Sequence, residues 1–144
     1  MGRNAKITRA FFDAYNRRDW VALTALCAPT VSWFNAARRE LMQGPDAVLG
    51  LLRSSAEAFP EARIELHAVH ESGSKVIVEW SYVAVRARKS KRAIVCDVIE
   101  MEDGKLTRGT TYGDTLQILL ELGQAAAPII PAVPVAPVIR FAAA

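Results

Sequence analysis

Apolar residues recur at helical spacing near the start of the chain. Ile7, Phe11, Ala14 and Tyr15 share one face, with Arg9, Asp13, Asn16 and Arg17 on the other. This predicts a first amphipathic helix. Asp19 is placed to N-cap a short second helix carrying Val21, Leu23 and Leu26, and Pro29 to end it. Thr30 to Phe34 then predicts a short strand. Gly44-Pro45-Asp46 opens a third helix, because proline is favoured in a first helical turn. Its apolar positions are Val48, Leu51, Leu52, Ala56 and Phe59, and Pro60 stops it.

Beyond Pro60 the period changes to two. Ile64, Leu66 and Ala68 alternate with Arg63, Glu65 and His67. Glu71-Ser72-Gly73-Ser74 reads as a turn, Lys75 to Arg88 as a long strand and Ala93 to Met101 as another. Glu102-Asp103-Gly104-Lys105 is a tight hairpin turn with glycine in the permissive place, and Leu106 to Thr115 is the last strand. Leu116 to Gly123 reads as a brief helical end with Gly123 as its C-cap. Helices followed by hairpin-linked strands predict an α+β domain with one curved antiparallel sheet. Long, strongly twisted strands of this kind wrap their helices and leave a cavity between.

The last segment differs. Pro128, Pro131, Pro134 and Pro137 fall three apart, so in polyproline II geometry they share one edge. Ile129, Ile130, Val133, Val135 and Val138 lie between them. The chain therefore divides into a domain over 1–123 and a Pro/Ala-rich apolar arm over 124–144, read as an extended arm lying on protein surface or as a disordered tail.

Composition narrows the class. The chain has 144 residues, 51% hydrophobic and 23% charged, with a net charge of +3. That suits one globular domain. The only tight basic run, Arg86, Arg88, Lys89, Lys91 and Arg92, falls at a hairpin tip without interleaved aromatics, so no nucleic-acid partner is expected. No run is long enough for a membrane span and the first residues lack an apolar secretory core, so a cytoplasmic protein without a membrane partner is expected. Cys27 and Cys96 are expected as free thiols. His67 and His70, three apart in a strand, are expected on opposite faces, and no metal site is expected.

Several strings carry a family resemblance: "FFDAYNRRDWVALTAL", "VSWFN" followed by "GPDAV", "VIVEW", and "VCDVIEMEDGKLTRGTTYGD". Over roughly Ile7 to Gly123 the chain resembles the SnoaL-like, nuclear transport factor two-like superfamily. The resemblance implies a cone-shaped cystatin-like α+β barrel, with a curved antiparallel sheet wrapped around three N-terminal helices and a pocket at its open end. It also implies dimers and a range of chemistries: isomerases, polyketide cyclases, dehydratases, epoxide hydrolases and non-enzymes. Against the limonene epoxide hydrolase branch, Asp114 matches the final-strand Asp and Asn35 a water-holding Asn, while Trp80 and Tyr82 stand in place of an Arg and a second Asp. Against the ketosteroid isomerase branch, Asp97 matches the oxyanion-holding Asp, while Phe11 and Asn35 replace a Tyr and the general-base Asp.

The residues give their own reading. Asp97 lies between Val95 and Ile99 on one strand face, an apolar setting that raises a carboxyl pKa and suits a proton donor. Asp114 either completes an acid/base pair with it or caps the following helix. Tyr82 donates to a substrate oxygen or is pocket wall. Candidate catalytic residues are therefore Asp97, Asp114 and Tyr82. Candidate substrate-binding residues are Phe11, Tyr15, Trp33, Asn35, Trp80 and Tyr112, with Asn35 alternatively capping a turn. The expected function is cofactor-free acid/base chemistry on a small apolar organic ligand. The alternative is a non-catalytic ligand-binding or dimerisation module. A homodimer is expected through the outer sheet face, where Ile94, Cys96 and Val98 oppose Asp97.

Overall fold

The structure, a computed structural model, describes residues 1–114, 118 and 122. Helix α1 (Arg3–Asn16) buries Phe11, Phe12, Ala14 and Tyr15 on the face its apolar spacing marks out. Helix α2 (Trp20–Ala25) starts where Asp19 accepts a hydrogen bond from the Ala22 backbone N–H at 3.0 Å. Helix α3 (Pro45–Ala58) has Pro45 in its first turn and follows Gly44, whose φ of 84° is open to glycine at low cost.

The strands are β1 (Cys27–Asn35), β2 (Glu40–Gln43), β3 (Arg63–Ser72), β4 (Lys75–Arg86), β5 (Lys89–Glu102) and β6 (Lys105–Gly113). They form one curved, unclosed sheet in the order β2-β1-β6-β5-β4-β3. The α+β class is as expected, with three differences in detail. Pro29 does not end a helix but lies inside β1, which begins at Cys27. Strand β2 was not expected; it pairs antiparallel with β1. The sheet is also not antiparallel throughout, because β1 runs parallel to β6.

Turn chemistry fixes the hairpins. Ala87 and Arg88 both have positive φ (50° and 65°), as do Asp103 and Gly104 (49° and 74°), the backbone that matches strand twist in two-residue hairpins. The basic run sits at the first of these tips. Beside an irregularity between Cys27 and Ser32 in the β1–β6 ladder, two single-residue bulges interrupt the antiparallel ladders. Leu66 pairs with Trp80 but Ala68 with Glu79, so His67 is an extra residue in β3. Met101 pairs with Leu106 but Glu100 with Arg108, so Thr107 is an extra residue in β6.

The core lies between the inner sheet face and the helices, with Tyr15, Phe59, Leu23 and Ile99 among its most buried side chains. Cys27 and Cys96 are free thiols, and burial pushes the Cys27 thiol up to about 11. No helix among the described residues is long and apolar enough to cross a membrane. Ile118 is helical and buried, and the Leu122 N–H donates to its carbonyl at 3.0 Å. The rest of the expected final helix, its cap at Gly123 and the 124–144 arm lie outside the described residues.

Candidate active site

A cavity of about 320 Å³ opens between the inner sheet face, α1 and α3. Asp97 stands in its wall, opposite Thr111 on β6 and Val78 on β4. Its carboxyl is 1% exposed. Burial pushes its pKa up to about 7, and the neighbouring Thr111 and Trp80 side chains pull it only partly back. Thr111 and Trp80 are close enough to this carboxyl to favour its charged form, yet Asp97 Oδ1 and the Trp80 indole Nε1, both buried, fall short of hydrogen bonds of normal geometry.

Aromatic rings make the flanking walls. Trp33 stacks on Phe11 with centroids 5.8 Å apart and planes 6° apart, and Phe12 packs on Trp80 at 5.5 Å. The Trp33 indole N–H donates to Thr111 Oγ1 at 2.8 Å.

A second polar group of the cavity is a triangle of hydroxyls. Ser55 Oγ lies 2.8 Å from the Tyr82 hydroxyl and 3.0 Å from that of Tyr15, and the two tyrosine oxygens are 3.4 Å apart. Burial raises the Tyr82 pKa further above its ordinary value, so this phenol stays neutral. At the β1 end, Asn35 lines the cavity while its side-chain oxygen accepts from the Arg38 backbone N–H at 3.1 Å, the turn-capping role. Arg38 also lines the cavity, with its guanidinium paired to Glu40 at 3.3 Å.

Seven of the nine residues singled out by sequence thus come together: Phe11, Tyr15, Trp33, Asn35, Trp80, Tyr82 and Asp97. Tyr112 and Asp114 do not. Tyr112 is 52% exposed and pairs with Cys96 on the side away from Asp97; Asp114 is exposed and outside the lining. The cause is the Thr107 bulge. Leu106 is buried, and strict alternation from it would carry Tyr112 and Asp114 inward. One extra residue reverses the parity, so that Gly109 and Thr111 face in. The expected pair of cavity carboxylates is therefore not formed. The His67 bulge likewise corrects the histidines, which share the outer face: His67 Nε2 meets Ser81 Oγ at 2.6 Å and His70 Nε2 meets Glu79 at 3.3 Å.

Sequence reasoning missed Ser55, Thr111 and Arg38 as cavity residues. Ser55 had a usable signal, lying four residues after Leu51 on the apolar side of α3.

The SnoaL-like domain profile matches residues 8–109. The chain belongs to this family. No curated protein is matched by the sequence. Among solved structures, the SnoaL-like chain resembles a nuclear transport factor two-like protein of unknown function from Burkholderia pseudomallei, at 22% identity and a TM-score of 0.75, over 87% of this chain and 100% of that one. An epoxide hydrolase of Mycobacterium tuberculosis like the limonene enzymes is 20% identical, with a TM-score of 0.69, over 83% of this chain and 89% of that one. TerC, co-crystallised with polyporic acid, is 20% identical, with a TM-score of 0.74, over 84% of this chain and 98% of that one. At these identities the likeness is one of fold.

Proposed function

We propose that this SnoaL-like protein is a cofactor-free enzyme that moves protons on a small, mostly apolar carbonyl or epoxide compound, with Asp97 as its acid/base group. The observation that carries this reading is the buried Asp97 carboxyl in a cavity wall, with its Oδ1 and the neighbouring Trp80 indole N–H both short of a hydrogen bond of normal geometry. A buried polar group without a partner costs about 1–3 kcal/mol, and a ligand oxygen placed between these two removes that cost. With a pKa of about 7, both forms of Asp97 are populated at neutral pH. One carboxyl can then donate to a substrate oxygen and later take a proton back. Isomerisation, cyclisation, dehydration and epoxide opening all use such a step, and an epoxide hydrolase shares the fold.

The absence of Asp114 from the cavity favours one second reading, a binding module without turnover. Native mass spectrometry of the purified protein, followed by assays on any retained compound, separates the two. In the enzyme reading, Asp97→Asn loses on the order of a hundredfold or more in turnover while still binding the compound. Near-wild-type turnover in Asp97→Asn removes Asp97 from the chemistry. No turnover by the wild-type protein leaves the binding module.

The assembly we propose is a homodimer through the outer sheet face. Ile94 is 75% exposed, Tyr112 52% and Ile77 42%, and the register sets Cys96 beside Tyr112 and Val98 beside Ile77. An apolar row of this kind, bordered by Glu79 opposite Cys96, calls for cover, and a two-fold copy supplies a self-complementary one. Light scattering at micromolar concentration is expected to give twice the chain mass, and Ile94→Glu to shift it toward monomer. A monomeric wild-type protein overturns the proposal. Free thiols and this small-molecule role fit the cytoplasm.

A further inference from the structure

The two polar groups of the cavity rise from different levels of the sheet. Asp97 pairs with Val78, whereas Tyr82 pairs with Ala93. Four residues along β5 separate those levels by about 13 Å, with Trp80 between them. The triangle at the far level has protons to spare. Both short contacts, at 2.8 and 3.0 Å, share Ser55 Oγ. They therefore use two of the three hydroxyl protons, whichever way they run. The third proton lies on Tyr82, on Tyr15 or, where both phenols donate to it, on Ser55; on a phenol it has only partners at 3.4 Å, the other phenol oxygen and, for Tyr82, the Ser55 carbonyl. One good donor is thus left over beside an apolar cavity. The space between the two levels is walled by flat rings, Phe12 and Trp80 on one side and Phe11 and Trp33 on another. Charge is unwelcome there. Arg38 is the one cation among the described lining residues, and Glu40 already neutralises it.

We propose that the Tyr15–Ser55–Tyr82 triangle is a second oxygen-binding station. The substrate is then a compact, uncharged ring compound with a carbonyl oxygen for Asp97 and Trp80 and a hydroxyl or second carbonyl at its other end. This rests on the reading of Asp97 given above for the substrate's first oxygen.

Three probes test it by titration calorimetry: α-tetralone, the same ketone with a hydroxyl para to its carbonyl, and the same ketone with a carboxylate there. Wild-type protein is expected to bind the hydroxy ketone about tenfold more tightly than α-tetralone, the scale of one well-made hydrogen bond, and the carboxylate more weakly than either. The tenfold ratio should fall to near one once the group holding the spare proton is gone: in Tyr82→Phe, in Tyr15→Phe/Tyr82→Phe, or in that double variant with Ser55→Ala added. A ratio near one in the wild-type protein overturns the second station, and needs no variant to fold. So does a ratio that survives removal of all three hydroxyls, or a carboxylate that binds best. Asp97→Asn separates this from the reading it rests on. Weaker binding of both ketones at an unchanged ratio supports both stations. Unchanged affinity for α-tetralone in Asp97→Asn removes Asp97 as the first station while the ratio still reports the second. Failure of every ketone to bind the wild-type protein overturns both.

Discussion

Wild-type protein is expected to lose stability as pH rises from about 4 to about 7, while Asp97→Asn shows no such loss relative to it. The Asp97 carboxyl moves from an ordinary pKa of 3.8 to about 7 on folding, chiefly because burial disfavours its charged form. In that window the unfolded chain has released a proton that the folded chain still holds. Raising the pH therefore pulls the equilibrium toward unfolding. The stabilisation is fully present below the unfolded value, declines as pH climbs through the folded value, and is flat above it. The difference between the two pKa values corresponds to about 4 kcal/mol across the window, a large part of a small domain's stability. Glu65 acts with the opposite sign. Hydrogen bonds from Arg92 and Arg63 hold exposed Glu65 below its usual range, so its contribution is lost as pH falls. The difference between wild type and Asp97→Asn removes that background, since both share it. Urea unfolding at half-unit steps from pH 4 to pH 8 measures it. Parallel curves for the two proteins would show that Asp97 is not held neutral by the fold.

Asp97 was legible in sequence because its burial follows from its neighbours alone. Val95 and Ile99 are both buried, and a period of two then commits Asp97 to the same face. The same holds for Trp80 and Tyr82 beside Val76 and Val78, and for Trp33 beside Asn35. Helix α3 was legible through Gly44-Pro45, and the hairpins through turn residues whose backbone needs are local. What could not be read depends on partners distant in the chain. Strand β2 has four residues and one buried side chain, Met42, too little to show a period. The parallel pairing of β1 with β6 joins the first and last strands, and nothing in either segment encodes it. A bulge is worse, because it reverses every side chain beyond it without changing the composition. Thr107 cost Tyr112 and Asp114 their expected places and gave the one opposite Asp97 to Thr111, and His67 put both histidines on one face. The hydroxyl triangle joins α1, α3 and β4 and was invisible for the same reason.

Gly109→Ala is expected to destabilise the protein by about 3 kcal/mol, lowering the melting temperature by about 10 °C, although it adds one methyl group. Backbone strain is not the reason, since Gly109 does not lie in the left-handed region. Space is. Trp33 is the direct partner of Gly109 in the parallel ladder, and its six-membered ring lies over the glycine. A Cβ there would sit 2.4 Å from Trp33 Cε3 and 2.5 Å from Cδ2 and Cζ3. No rotamer change is cheap. The ring is stacked on Phe11 on its other side, and its N–H is tied to Thr111 Oγ1. Moving it breaks that hydrogen bond, pushes Phe11, and frees the hydroxyl next to the Asp97 carboxyl. The damage should therefore reach the cavity, with changed near-ultraviolet circular dichroism and weakened ligand binding alongside the lower melting point. A second substitution identifies the cause. Trp33→Phe puts a smaller ring in place of the indole that meets the new methyl group, so it should cost stability by itself yet recover part of the loss when combined with Gly109→Ala. The double-mutant cycle then gives a coupling of opposite sign to the single losses. If Gly109→Ala melts within a degree or two of wild type, or if the two losses simply add, then Trp33 is not pinned between Gly109 and Phe11 as described.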